Sequence, residues 1–311
     1  MVKNKILILE RVLHGLISRY SRLVPEIETI TQAMIKAGII SSREQIENDH
    51  IAFRTLGVDK LGIQSLERIF LHLGYTKKDP YFFAEKKLNA YWYAPPEDRF
   101  PRVFISELRV DDLSKKAQEI IHWYTNHVKS DPTVKLDLDD ADAIDAFLHS
   151  PLWPLPSWSD YQTLANESEY ASWVICNRYY LNHFTFGVHG LAAPFNDMRH
   201  FVDFLEKRRI PLNQAGGTIK TSPDGKLVQA STLASMVDGL FSLPDGTTEH
   251  RKIPGSYVEF AERKVLDEYT HLPPNKIERK HRREGFEAQN ADKIFESTYR
   301  NDQVNKPKNN D

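Results

Sequence analysis

The order of local patterns in the first half of the chain recurs in the second half. That repeat limits the fold more than any other feature of the sequence. Each half reads strand, helix, then three strands. The first opens on NDHIAFRTLG, where His50, Ala52 and Arg54 alternate with Ile51 and Phe53, the two-residue period of a strand. LGIQSLERIFLHLGY follows with Leu66, Ile69, Phe70 and Leu73 at helical spacing and Gly74 as its stop. AEKKLNAYWYAPP and RVFISELRV then read as strands about a PPEDRFP turn. The second half opens on YLNHFTFGVHG, continues with the helix NDMRHFVDFLEKRRI, and ends in GGTIKTSP, KLVQASTLAS and GSYVEFAER, with a turn at Asp224-Gly225. Both opening strands hold a histidine followed by an aromatic on an apolar face, in DHIAF and NHFTF.

The expected organisation is one catalytic domain over residues 1–300. It comprises N-terminal helices (1–45), a first unit (46–110), a helical insertion (111–176), a second unit (177–265) and a C-terminal segment (266–300), followed by a disordered tail (301–311). In the N-terminal part, Leu7, Val12, Leu16 and Leu23 mark one helix; Ile27, Ile30, Met34 and Ile35 mark another, which Pro25 begins. The insertion contains DLSKKAQEIIHWYTNHV and DADAIDAFLHSP as helices. PLWPLPSWSDY is too rich in proline for a regular element, and SWVICNRYY is strand-like. The single cysteine, Cys176, sits in that run as a small core residue and rules out an internal disulfide.

A formal net charge of −2 sets up no field for nucleic acid, and no apolar run approaches a membrane span. With no signal-peptide pattern at the N-terminus, the expectation is a soluble cytoplasmic protein that binds neither nucleic acid nor membrane. The basic run Lys280–Arg283 reads as a solvated face. Phosphate loops, G-x-S-x-G and Cys/His zinc clusters are missing from the sequence.

The chemistry concentrates at His50 and His183, in equivalent places on the two opening strands, and at Glu259 on the last strand of the second unit. Glu259 has the apolar Val258 and Phe260 behind it. A carboxylate facing an enclosure needs a partner, and a metal ion is the simplest. Two histidines and a carboxylate with open positions form a ferrous facial triad; the same residue types also hold zinc, so they do not name the metal. Arg54, four residues after His50 on the same face, could grip a substrate carboxylate or pair with a surface acid. Glu107 is the approximate counterpart of Glu259 in the first unit, as a second carboxylate at the metal or a structural remnant. Glu262 has the wrong parity to join Glu259. His122, His127 and His189 read as helix and loop residues.

Taken together, NDHIAFRTLG, LNHFTFGV, GSYVEFAER and GFEAQNADKIFEST resemble the 2-oxoadipate dioxygenase/decarboxylase (hydroxyglutarate synthase) family. The likeness runs from the N-terminal helices to about residue 298. The resemblance implies an α+β fold of paired βαβββ units, of the vicinal oxygen chelate (glyoxalase-like) kind, forming a central open barrel-like sheet. It implies Fe(II) held by His50, His183 and Glu259, with Arg54 on the substrate. The implied reaction belongs to lysine catabolism: 2-oxoadipate, or a similar 2-oxo acid, and O2 give 2-hydroxyglutarate and CO2. On the same scaffold, the alternatives are an oxygen-independent, metal-dependent lyase or isomerase and a non-catalytic small-molecule binder.

Overall fold

The computed structural model describes residues 2–299; the expected tail, 301–311, lies outside the described residues. Helices α1 (Val2–Leu23) and α2 (Pro25–Lys36) form a hairpin, with Pro25 in the first turn of α2. Their buried stripe runs through Leu9, Val12, Leu16 and Tyr20, then Ile27, Ile30 and Met34. Leu7 and Leu23, placed on that stripe by the sequence pattern, are exposed. Leu7 falls about half a turn away from Leu16 on an α-helix, and Leu23 is the last residue of α1.

The first unit comprises β1 (Asn48–Gly57), α3 (Gly62–His72), β2 (Thr76–Phe83), β3 (Leu88–Ala94) and β4 (Arg102–Arg109). Four helices follow: α4 (Lys115–Thr125), α5 (Ala141–Leu148), α6 (Trp158–Glu167) and α7 (Glu169–Asn177). The second unit comprises β5 (His183–Gly187), α8 (Met198–Glu206), β6 (Lys220–Thr221), β7 (Leu227–Ser231), β8 (Met236–Ser242), β9 (Thr248–Pro254) and β10 (Tyr257–Arg263). Helix α9 (Ala288–Ile294) and a 3-10 turn, Phe295–Thr298, close the described chain.

One eight-stranded mixed sheet, in the order β2-β3-β4-β1-β5-β10-β7-β6, curls into a half-barrel. The two units join through their opening strands: β1 is antiparallel to β5, and each is parallel to the last strand of its own unit. The repeat read in the sequence is therefore a near two-fold relation about the β1–β5 seam. Every residue of β5, β7 and β10 is buried, as expected of strands covered on both faces.

Several expectations are corrected. SWVICNRYY is mostly helix: Ser168 Oγ accepts from the Ala171 N–H and starts α7, which buries Tyr170, Trp173, Val174 and Ile175. A helix that is apolar all round shows no helical period, so its aromatic and β-branched residues look like a strand. The proline-rich stretch supplies the start of α6, capped by Ser157. The β8–β9 hairpin, a separate two-stranded sheet between β7 and β10, has no counterpart in the first unit and is absent from the sequence reading. The basic run is not a solvated face. Lys280 is exposed, but His281 is buried and Arg282 donates to the Arg263 carbonyl, tying the C-terminal strap to β10.

Candidate metal centre

Strand register brings the three expected residues together. His50 on β1 and Glu259 on β10 both pair with Thr185 of β5, one from each side. His183 lies two residues away on β5 and so projects from the same face. The His50 Nε2, His183 Nε2 and Glu259 carboxylate oxygens converge, with one ligand atom from each lying within 4.8 Å of the others. Glu259 spans both rings, Oε1 at 3.5 Å from His50 and Oε2 at 3.2 Å from His183. All three side chains are buried.

Each histidine is oriented by the residue before it. His50 Nδ1 lies 2.8 Å from Asp49 Oδ1, and His183 Nδ1 lies 3.0 Å from Asn182 Oδ1. These acceptors place the proton on Nδ1 and leave the Nε2 lone pair facing the centre. The Thr185 hydroxyl lies 3.0 Å from His50 Nε2, and Gln229 Nε2 donates to Glu259 Oε1 at 2.6 Å. Burial, then the charges of His50 and Arg54, holds His183 well below the usual imidazole range, so it is a neutral donor. For His50 burial acts downward, but Glu259 and Asp49 prevail and raise it. Neutral imidazole and carboxylate donors with outer hydrogen bonds fit a divalent ion.

Behind His50 lies a buried charge network that the sequence reading missed. Arg263 clasps Asp49 through Nε and Nη2 at 2.6 and 2.9 Å, and Arg102 reaches the same carboxylate at 3.2 Å. Although burial acts upward, these guanidinium groups hold Asp49 well below the usual carboxylate range. Arg263 Nη1 also binds the carbonyls of Arg283 and Gly285. The strap so anchored sets the Phe286 ring against His50, centroids 4.7 Å apart. The available signal was the acid or amide before each histidine; the arginine partner was hidden by 214 residues of separation.

The structure separates Glu107 from the centre. In register, His50 pairs with Arg102 and His183 with Tyr257, so the counterpart of Glu259 is Phe104, and that of Glu107 is Glu262. Glu107 accepts from the Ile63 N–H and Glu262 from the Met198 N–H, each at 2.9 Å. Both carboxylates thus cap the helix of their own unit.

Arg54 is buried and lies on the same face of β1 as His50. Its Nη1 meets Glu169 at 3.2 Å; its Nη2 donates to the Phe295 carbonyl and Thr298 Oγ1 at 3.2 and 3.1 Å. The Tyr170 and Trp173 rings pack on the guanidinium, 5.0 and 5.2 Å from Cζ. Its Nε and the Tyr257 hydroxyl are buried beside one another. His189 meets Glu47 at 3.3 Å, away from the centre.

A sequence profile of the 2-oxoadipate dioxygenase/decarboxylase family matches residues 12–273. The chain is 44% identical over 267 residues to a chloroplastic 2-oxoadipate dioxygenase/decarboxylase of Arabidopsis thaliana, covering 82% of this chain and 69% of the relative. The crystal structure of hydroxyglutarate synthase from Oryza sativa in complex with 2-oxoadipate superposes with a TM-score of 0.83 at 39% identity, covering 96% of this chain and 94% of that one. A glyoxalase superfamily protein of Ralstonia eutropha shares the fold, with a TM-score of 0.72 at 21% identity over 89% of this chain and 85% of that one. The chloroplastic relative overturns the cytoplasmic expectation; one cysteine and a near-neutral charge do not distinguish one reducing compartment from another. No helix among the described residues is long and apolar enough to cross a membrane.

Proposed function

The chain belongs to the 2-oxoadipate dioxygenase/decarboxylase family, and from that premise we propose that it converts 2-oxoadipate and O2 to 2-hydroxyglutarate and CO2 at an Fe(II) held by His50, His183 and Glu259. The observation that carries the reading is the convergence of these three buried side chains from three neighbouring strands. Bound Fe(II) would supply open coordination positions for the 2-oxo acid and O2 and the electrons that activate O2.

The protein's own residues do the rest. Asp49 and Asn182 fix the two imidazole rings, and Gln229 fixes the carboxylate. Phe104 and Phe286, 4.8 Å apart, wall the fourth side with apolar surface and keep water from the reacting centre. Arg54, four residues after His50 on the same strand face, meets a substrate carboxylate while Glu169 and Thr298 hold its far edge. Fixing the substrate there lowers the entropic part of the barrier.

The atoms balance without a second oxo acid. The bond between the first carboxyl carbon and the keto carbon breaks and releases CO2. The keto carbon becomes a carboxylate with one oxygen of O2, and the neighbouring carbon gains a hydroxyl with the other. Turnover under 18O2 tests this. Product 2-hydroxyglutarate heavier by about four mass units supports the reading; a product of unchanged mass formula, isomerised or cleaved without incorporated label, overturns it in favour of oxygen-independent chemistry.

A further inference from the structure

Outside the metal centre, the described residues contain a buried cation with no counter-charge. Arg178 is only 6% exposed, yet no carboxylate pairs with it. Its Nη1 and Nη2 reach only backbone carbonyls, Cys176 at 3.3 Å and Trp153 at 3.0 Å, and its Nε is buried without a partner. Burial without a carboxylate holds its pKa below the usual guanidinium range, an arrangement that is costly unless something completes it. The backbone there is strained as well: φ 56° and ψ −130° is a region that residues with a Cβ seldom occupy. Such strain persists where surrounding structure enforces it, and it clusters at ligand sites.

Arg178 lines a pocket of about 330 Å³ between α1, the end of α7 and the β8–β9 hairpin. The apolar part of the wall comes from Leu16, Leu23, Leu155, Val237, Leu240 and Ile253. Two of these, Leu23 and Leu240, are exposed large apolar residues. The other charged residues of the wall, Arg19 and Asp238, are paired with Asp145 and Lys252. One uncompensated guanidinium in an apolar pocket of this size suits one class of occupant.

The geometry points to a binding site for a small monocarboxylate with an apolar tail, its headgroup on Arg178 and its tail along the leucines of the rim. This pocket is distinct from the metal centre but mechanically close to it. Tyr20, on its wall, accepts from the Phe184 N–H of β5 and donates to the Tyr257 carbonyl of β10, joining the strands that hold His183 and Glu259.

Calorimetric titration of the full-length protein with octanoate tests the site, with octanol and octylammonium as controls for the tail and the charge. Saturable one-to-one binding of octanoate, with neither control binding comparably, is expected. Arg178→Gln should weaken it at least about tenfold, the worth of a charge-assisted hydrogen bond. No saturable octanoate binding, or equal binding by a folded Arg178→Gln protein, would overturn the proposal. If Arg178→Gln does not fold, Leu240→Asp decides. This rim substitution should also weaken octanoate at least about tenfold by placing a carboxylate against the apolar tail; unchanged binding overturns the site.

Discussion

Phe104 stands in the first unit where Glu259 stands in the second, each two residues beyond the partner of its unit's histidine. The near two-fold relation offers four inward places, and three hold donors. The fourth is apolar, and Phe104 packs there on Phe286, which packs on His50. A dry side without a fourth donor is what a reaction with two incoming ligands requires.

Phe104→Glu therefore fills the fourth place with a carboxylate. It should bind divalent metal more tightly, and apo and metal-loaded melting temperatures should move further apart than in the parent protein. Turnover should fall at least about a hundredfold, because a position needed by the reactants is taken. Unchanged turnover with tighter metal binding would show that the open positions lie elsewhere.

The two outer acceptors should differ in what they cost. Asn182→Ala removes the partner of His183 Nδ1 and should weaken metal binding by about 10–100-fold with little loss of stability. Asp49→Asn also leaves Arg263 and Arg102 buried without their charge partner, and should destabilise the fold by about 3–5 kcal/mol. Chemical denaturation of the apo proteins, beside competition for Co(II), separates the two effects.

Much of this centre was legible because it obeys short-range rules. Strand parity and the repeated histidine place His50, His183 and Glu259 on inward faces. Other features are long-range. Nothing near Asp49 in sequence announces Arg263, and nothing in a basic run shows that Arg282 is bonded to β10. Glu107 was matched to the wrong partner because order alone cannot count register: only strand pairing shows that it answers to Glu262. The β8–β9 hairpin escaped because its half-exposed strands carry Gly239 and several charges, which blunt the alternation.

Arg54→Lys keeps the charge but loses the planar fork. Metal content should be unchanged, while KM for 2-oxoadipate should rise about tenfold or more, because a point charge cannot serve Glu169, Thr298 and a substrate carboxylate together. Steady-state kinetics beside metal analysis checks this. An unchanged KM would make Arg54 purely architectural.

Cys176 gives a pH signature of the packing at the end of α7. Burial pushes its thiol up to about 12, so little thiolate exists near neutrality. Alkylation of the native protein should be slow at pH 8 and rise about tenfold per pH unit to pH 10, whereas an unhindered thiol levels off above about 8.5. In denaturant the reaction should be fast and stoichiometric. A plateau near pH 8.5 in the native protein would contradict the packing around this half-buried thiol.

The most direct test of the central claim is oxygen uptake by the protein reconstituted anaerobically with Fe(II), on addition of 2-oxoadipate, in parent and His183→Ala forms. The account predicts one O2 consumed and one CO2 released per 2-oxoadipate in the parent. It predicts neither in the variant, which should remain folded but lose its iron. No uptake by iron-loaded parent protein, or full uptake by His183→Ala, would contradict it.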